Sequence, residues 1–178
     1  MQSDSLLSAS EGQAGAAVIE AEDGPQDKLS VLFSALGPTP PEIVAKLTRA
    51  QEALFDTPQA FIKTDHVLHA GMYSRTIIMP PETPLIGALI KIPTLVITVG
   101  SGKVFVNGKW QDVNGYQVIP GCAGRKQAFF SIGPLIITMV FPTKARTVEE
   151  AEAEFTDEAH LLLSRRQDEM NTVTITGE

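Results

Sequence analysis

The chain has 178 residues, of which 43% are hydrophobic, so it can bury one substantial core and still carry additional segments. Its formal net charge of −7 at pH 7 gives no general attraction to nucleic acid or to an anionic membrane, and neither is expected as a partner. The single cysteine, Cys122, excludes an intrachain disulfide and any cysteine cluster for zinc or iron–sulfur, and is typical of a protein that folds inside the cell.

The N-terminal segment over 1–24 is rich in Ser, Gly, Ala, Asp and Glu and contains few large apolar residues. Ordering its backbone would cost roughly 1–2 kcal/mol per residue, with little apolar burial to offset that cost. We therefore predict a flexible arm, which is either plainly disordered or becomes ordered on a partner. The segment has no basic region of the kind found in signal peptides, and no apolar run in the chain is suited to span a bilayer.

Two short helices are predicted in a helical segment over 25–58. The first covers 26–36, and the second begins at Thr39, whose side chain is expected to cap it, and ends before Pro58. The apolar side of the second helix consists of Ile43, Leu47, Ala50 and Leu54. Because neither helix is apolar all round, each must lie against either the chain's own β domain or a neighbouring subunit. Ile43, Leu47 and Leu54 are therefore candidates for docking a partner.

Short alternating strands separated by turn signals are predicted over 61–143. Asn107-Gly108 is the strongest hairpin signal, because a type I′ turn needs positive φ at both central residues. Further turns are predicted at Gly100-Ser-Gly102, Asn114-Gly115, Pro120-Gly121 and Gly133-Pro134. Strands this short and this regularly spaced predict a sandwich or barrel.

After the β domain, a helix is predicted over 147–167 and a tail over 168–178. Thr147 and Glu150 have the spacing of a capping box, and Thr156 resembles a second cap, so the alternative is two helices with a break near Phe155. In the tail, residues 172–176 alternate as in a strand but have no partner nearby in the sequence. Such a strand either pairs with another chain or, as is more common for a terminus, frays.

The β domain also carries an ordered series of glycine, proline and basic motifs. They are Gly71-Met-Tyr-Ser-Arg75, Ile78 through Thr83, Gly87, Lys91, Gly100, Pro120, Gly124-Arg125-Lys126 and Phe141-Pro-Thr143. In order and spacing they resemble those of small cupin-like (RmlC-like jelly-roll) proteins of tailed bacteriophages and prophages, over about residues 70–155. The resemblance implies a mainly β, cupin-like jelly-roll barrel, here with an N-terminal arm, short helices and a C-terminal helix. It also implies oligomerisation and a phage context, but no established activity.

This chain lacks the metal ligands that the resemblance implies for metal-binding cupins. Ile90 and Thr94 stand where the phage relatives tend to have His, Pro93 stands near the expected acid, and Arg125 stands around the position of the second-motif His. Transition metals need converging imidazole, thiolate or carboxylate donors, which these residues do not supply. We therefore predict no metal site, no cofactor and no catalytic residue.

Other candidate chemical groups have structural interpretations. His66 and His69 would face opposite sides of a strand, so a solvent-facing or edge role is favoured over a ligand pair. His160 in the C-terminal helix is interpreted as structural, and Cys122 as a small residue beside a turn rather than a nucleophile. Ser101-Gly102-Lys103 lacks the spacing and the following helix of a phosphate-binding loop, and is predicted to be a hairpin turn.

Arg125 and Lys126 form the basic cluster of the β domain. If Arg125 points into the barrel mouth, it marks a site for an anionic ligand, because a guanidinium pairs bidentately with carboxylates or phosphates. If Arg125 points outward, it is an interface residue, and this is the favoured interpretation. Lys126 and Arg75 join Arg125 as candidates for interface or anion contacts.

Two functional hypotheses follow from the sequence. The first is a non-enzymatic virion structural protein, made in the host cytoplasm, which self-associates, for example as a trimer. Its most specific form is a capsid decoration, cement or head-fibre-type protein bound to other virion proteins such as the major capsid protein. The second is a cupin-type isomerase, dioxygenase or small-ligand binder that uses the barrel cavity. Metal-free epimerases of this shape use a His and Tyr pair; Tyr73 and Tyr116 are available, but no paired His is apparent.

Overall fold

The computed structural model describes residues 35–177, and these are mainly β, with short helices at both ends. The predicted arm over 1–24, and all of the predicted first helix except its last two residues, lie outside the described range. The strands are β1 (Lys63–His69), β2 (Met72–Met79), β3 (Pro84–Ile86), β4 (Thr94–Val106), β5 (Lys109–Asn114), β6 (Gln117–Gly121), β7 (Ala128–Pro142) and β8 (Asn171–Thr176). The α-helices are α1 (Pro41–Phe55), α2 (Val148–Phe155) and α3 (Leu163–Arg166). None of the described helices has the length and apolar character needed to cross a membrane.

All eight strands belong to one sheet, in which six follow the order β5-β4-β7-β2-β1-β8. The two long central strands, β4 with 13 residues and β7 with 15, each change neighbours along their length. β4 pairs with β6 near its start and with β5 near its end, while β7 pairs first with β3 and then with β2. These exchanges curl the sheet around an apolar interior, as a jelly-roll barrel requires.

The interior contains two apolar clusters. The larger fills the barrel and is formed by buried residues that alternate along the strands, including Ile77, Val96, Val104 and Ile137. The second joins the sheet to the C-terminal segment, where Tyr73 and Phe141 from the strands pack against Phe155 at the end of α2. The C-terminal segment is therefore part of the barrel's core rather than an appendage.

Glycines produce different structures in β4 and in the following hairpin. The predicted turn at Asn107-Gly108 is confirmed: Val106 pairs with Lys109, and the turn residues have φ of 49° and 84°. The turns predicted at Gly100-Ser-Gly102 and at Gly133-Pro134 are wrong, because β4 and β7 run through them. The β4–β7 register shifts between Gly100 and Gly102, so the first segment is a bulge inside a strand.

Helix α1 lies on the chain's own β domain. Its predicted cap is wrong: Pro40 is the N-cap residue, and the Thr39 hydroxyl instead bonds both backbone groups of Lys126. Leu47 and Gln51 are its buried residues, whereas Ala50, predicted on the apolar side, is exposed. Leu47, one of the proposed docking residues, is therefore already covered within this chain. The other two, Ile43 and Leu54, are half-buried.

The C-terminal segment consists of short helices rather than one long helix. Thr147 caps α2 by accepting a hydrogen bond from the Glu150 backbone N–H, as predicted. The helix ends at Phe155, and the Thr156 hydroxyl then donates to the Leu89 carbonyl and accepts from the Glu158 N–H. The predicted alternative of a break near Phe155 is therefore confirmed.

The tail forms β8, which pairs in parallel with β1 of the same chain over six residue pairs, from Thr64 with Asn171 to His69 with Thr176. The expectation that this segment lacks a partner in its own chain and frays is therefore wrong. Parallel partners need a long connection, and residues 70–170, which contain β2 to β7 as well as α2 and α3, provide it.

Gly100 should be among the most sensitive positions of the fold. Its φ is 122°, and a Cβ atom there would lie 2.0 Å from the Pro134 carbonyl oxygen. We expect Gly100→Ala to lower the free energy of unfolding by more than about 2 kcal/mol, measured by urea denaturation. Gly37→Ala is the control, because a Cβ atom there meets nothing within 4 Å. Equal stability of the two variants would contradict this account of the bulge.

Candidate functional site

A cavity of about 120 Å³ lies at the junction of the sheet with α1, α2 and α3. Its wall is largely apolar, with Ile77, Leu85, Val96, Phe129 and Ile137 from the strands and Leu161–Leu163 from the C-terminal segment. Its polar side chains are Arg75, Arg125, Gln51 and Gln127, and no acidic residue lines it among the described residues. The cavity is thus apolar with a positive end.

Arg125 lies inside the barrel with only 2% of its surface exposed. Its guanidinium donates to the Thr94 hydroxyl at 2.6 Å, to the Cys122 carbonyl at 2.8 Å and to the Ile92 carbonyl at 3.3 Å. It forms no ion pair with a carboxylate of residues 35–177. Burial lowers the pKa of Arg125 to about 10, so the side chain still carries its charge at neutral pH. The favoured outward interpretation of Arg125 is wrong.

Gly121, at the end of β6, allows this placement. A Cβ atom at Gly121 would lie 2.7 Å from the guanidinium carbon of Arg125, so any side chain there would displace the guanidinium from this position. The backbone of Arg125 is fixed as well, because its carbonyl accepts from the Ile90 N–H at 2.8 Å. The guanidinium is therefore held between β4 and the end of β6.

Arg75 approaches the cavity from β2. One of its terminal nitrogens donates to the Ser164 hydroxyl at 3.2 Å, and that hydroxyl donates to Glu152 at 2.8 Å. The buried Arg75 Nε has no hydrogen-bond partner in the described part of the chain. In the sheet, Arg75 pairs directly with Met139, and the Met139 sulfur lies 3.8 Å from an Arg125 nitrogen. A single side chain thus separates the two arginines.

Lys126, the third basic candidate, is also buried and does not form an outward interface. Its ammonium group donates to the Gln51 side-chain oxygen at 2.9 Å and to the Glu158 carboxylate at 2.7 Å. The Gln51 amide donates to the Ile86 carbonyl at 3.2 Å, so these contacts tie α1 to the barrel. The charge of Lys126 is therefore paired with a carboxylate of the same chain, whereas that of Arg125 is not.

The positions expected to carry metal ligands in a metal-binding cupin come together in the structure. The Thr94 hydroxyl accepts a hydrogen bond from the Arg125 guanidinium, and the Ile90 backbone N–H donates one to the Arg125 carbonyl. Across residues 35–177, no three His, Cys, Asp or Glu side chains are grouped so that they could hold a metal ion. The residues at these positions supply a guanidinium and a hydroxyl, which do not fit a divalent metal.

A buried His–Tyr pair was not predicted from the sequence. His66 Nδ1 lies 2.7 Å from the Tyr73 hydroxyl, and both side chains are fully buried. The β1–β2 alternation was the available signal, since inward positions of the hairpin include both residues. Neither residue lines the barrel cavity: Tyr73 packs under Phe155, and His66 borders a depression lined by Glu152 and α3 residues.

The other histidines and the cysteine lie outside the cavity. His66 and His69 face opposite sides of β1, as predicted, but the solvent-facing role holds only for His69. His160 and Cys122 are exposed. Ser101-Gly102-Lys103 lies within β4, so its interpretation as a hairpin turn is wrong, and the absence of a following helix excludes a phosphate-binding loop there.

The chain is similar in fold to solved cupin structures, while no known protein family and no curated protein matches it. A cupin superfamily protein from Desulfitobacterium hafniense is 10% identical with a TM-score of 0.40, over 52% of this chain and 86% of its own. The cupin domain of Cnp3 from Schizosaccharomyces pombe is 17% identical with a TM-score of 0.40, over 58% and 80%. KdgF from Halomonas sp. is 10% identical with a TM-score of 0.42, over 51% and 87%.

The predicted fold class is confirmed as mainly β, with one eight-stranded sheet and short helices at both ends of the described residues. None of these three proteins is named as a bacteriophage protein, and likenesses this distant carry no information about activity.

The buried His66 should make stability depend on pH. Burial, followed by the nearby Arg75 charge, lowers the pKa of His66 below its ordinary value of 6.5. The unfolded chain therefore binds this proton at higher pH than the folded protein does. The free energy of unfolding should fall as pH decreases below 6.5, by at most about 1.4 kcal/mol per pH unit for this one group.

Urea denaturation at a series of pH values through this window measures the effect. His66→Gln should lose this component of the pH dependence, whereas His160→Gln, at an exposed position, should retain it. An identical pH dependence for His66→Gln and the parent would contradict the assignment.

Proposed function

We propose that this protein is a non-enzymatic virion structural protein of a tailed bacteriophage, which self-associates through the outer face of its β-sheet. In its most specific form, the proposal is a capsid decoration, cement or head-fibre-type protein, made in the host cytoplasm and attached to other virion proteins such as the major capsid protein. The phage context is supported by the motif resemblance between residues 70 and 155. The self-association is supported by the chemistry of the outer face.

The outer face consists of the outward residues of β6, β4, β7 and β2, which strand pairing places in three rows. The rows are Pro120, Leu95, Val140 and Ser74; Val118, Ile97, Thr138 and Thr76; and Val99, Ile136 and Ile78. None of these residues is charged. Leu95, Val99 and Val118 are 47%, 41% and 47% exposed. Charges begin at the borders of these rows, where Lys63 and Asp65 pair with each other on β1 and Lys103 of β4 pairs with Asp112 of β5.

A second copy of the chain is the occupant that suits this face. Two-fold pairing places a surface against itself, so any charge near its centre would meet a like charge, and this face has none. Four strands about 4.8 Å apart and about 20 Å long cover roughly 400 Å², about half of what each partner buries in a standard interface. Sheets packed face to face at about 10 Å would also bury the rim of the patch.

The enzymatic alternative would need an acid–base pair facing the cavity. The His66–Tyr73 pair has suitable groups, but it lies outside the cavity wall and Tyr73 is fully covered. Burial also raises the pKa of Tyr73 well above its usual range, which makes its hydroxyl a poor proton donor for catalysis. We therefore favour assembly over epimerase-type chemistry as the function.

The outer face can be tested by light scattering coupled to size-exclusion chromatography. We expect the parent protein to have a mass at least twice that of the 19.1 kDa chain. Leu95→Lys combined with Val99→Lys should raise the dissociation constant by at least about tenfold, because each introduced ammonium would be buried near its symmetry mate. Phe61→Lys, a change at a residue 71% exposed outside this face, is the control and should leave the mass unchanged.

A parent protein that is a compact monomer at every concentration would overturn self-association. The virion assignment has its own measurement, which is mass spectrometry of washed particles of the phage that encodes the chain. The protein should be found at a fixed ratio to the major capsid protein, and its absence from such particles would overturn the assignment.

A further inference from the structure

The cavity inside the barrel is a separate feature from the outer face, and its chemistry is that of a ligand site. It brings Arg125 and Arg75 to one apolar chamber without an acidic residue in its wall. We propose that this cavity binds a small monocarboxylate with a short apolar tail, whose carboxylate is held between Arg125 and Arg75. This inference does not depend on the proposed self-association.

The buried charge of Arg125 has no carboxylate partner among the described residues. A guanidinium transferred from water to an apolar interior loses hydration, and buried charges are normally paired. Arg125 is satisfied only by neutral acceptors, namely the Thr94 hydroxyl, two backbone carbonyls and the Met139 sulfur. Lys126, the adjacent residue, has the Glu158 carboxylate at 2.7 Å, so the fold supplies an anion to one buried cation and not to the other.

The side chains of Arg75 and Arg125 both lie beside that of Met139. Arg75 and Met139 are directly paired in the sheet, and Met139 also contacts the Arg125 guanidinium. Paired side chains on one face of a sheet start about 5 Å apart, so both guanidinium groups can reach one small anion beside Met139. The unpartnered Arg75 Nε supplies a free donor, and the Thr94 hydroxyl, which accepts from Arg125, retains its own proton for donation.

The apolar wall and the small volume of the cavity define the rest of the ligand. Beyond the two arginines the wall consists mainly of Ile, Leu, Val and Phe side chains, so the remainder of the ligand should be apolar. The volume of about 120 Å³ is well below the roughly 300–1,000 Å³ typical of sites for drug-sized molecules, so the tail should be short. A phosphate would carry more charge than this apolar chamber can solvate, and a carboxylate is therefore the favoured anion.

Isothermal titration calorimetry of the full chain with butyrate and hexanoate tests the proposal. We expect saturable binding of at least one of these carboxylates, and no binding of hexanol or inorganic phosphate. Arg125→Gln and Arg75→Gln should each weaken binding by at least about tenfold, because a hydrogen bond to a charged group is lost. Arg146→Gln, at an exposed arginine outside the cavity wall, should bind like the parent.

A second measurement does not require a variant to fold. Nuclear Overhauser effects between the ligand's methylene protons and the methyl groups of Val96 and Ile137 should appear in the parent protein, since both residues line the cavity. Gly121→Ala should weaken binding without removing a charge, because its methyl group would displace the Arg125 guanidinium.

Three outcomes would overturn the proposal. They are the absence of both heat and Overhauser effects with either carboxylate, binding of phosphate or hexanol as tight as that of the carboxylates, and unchanged binding in both folded arginine variants.

Discussion

The constraint on which much of this structure depends is a positive charge placed inside a small β-barrel. Arg125 cannot be deprotonated easily, and its burial would be unfavourable without the hydroxyl and carbonyl groups that surround it. Those acceptors come from three places: the segment before β4, the start of β4 and the turn after β6. Holding one guanidinium therefore holds these segments together, and Gly121 is needed because the side chain occupies the space that a Cβ atom would take.

Glu152 is the centre of a second network, in which a buried charge is again surrounded by hydrogen-bond partners. Glu152 is fully buried in α2, and it accepts hydrogen bonds from Arg165 and from Ser164, which in turn accepts from Arg75. This chain of contacts connects β2 with α2 and α3. The C-terminal segment is thereby fixed against the barrel, and the strand that follows it is delivered to the open edge of β1. An internal polar network thus helps to set the path of the backbone.

Local signals in the sequence predicted the local features. Asn107-Gly108 and the Thr147 cap are specified within a few residues, and the short, regularly spaced strands were enough to predict a sandwich or barrel. The features that failed depend on residues far away. Gly100 could be interpreted as a turn only because its partner, the Pro134 carbonyl, lies more than thirty residues further along the chain. β8 likewise found its partner about a hundred residues earlier, which no local pattern specifies.

The inward position of Arg125 was the less favoured of the two interpretations for a related reason. Alternation indicates which residues share a side of a strand. Because charged residues are usually exposed, a charged residue is predicted to point outward unless other evidence opposes it. Arg75 and Arg125 break this rule, and so does His66, whose inward position follows from the β1–β2 register. Exceptions to binary patterning are expected where a protein binds or reacts, so they are informative about function.

The two proposals use opposite sides of the same strands, and the distribution of polarity makes them compatible. In β2 the inward position carries Arg75 while its outward neighbours are the uncharged Ser74 and Thr76; in β4 the inward Thr94 is polar while the outward Leu95 is apolar. A solitary soluble barrel would place its charges outside and its aliphatic residues inside. Part of this sheet reverses that arrangement, and a reversal of this kind is more stable when the outer face is covered and the charge of the inner cation is paired. A second copy on the outer face and a carboxylate in the cavity would meet these two requirements separately, and neither occupant could replace the other.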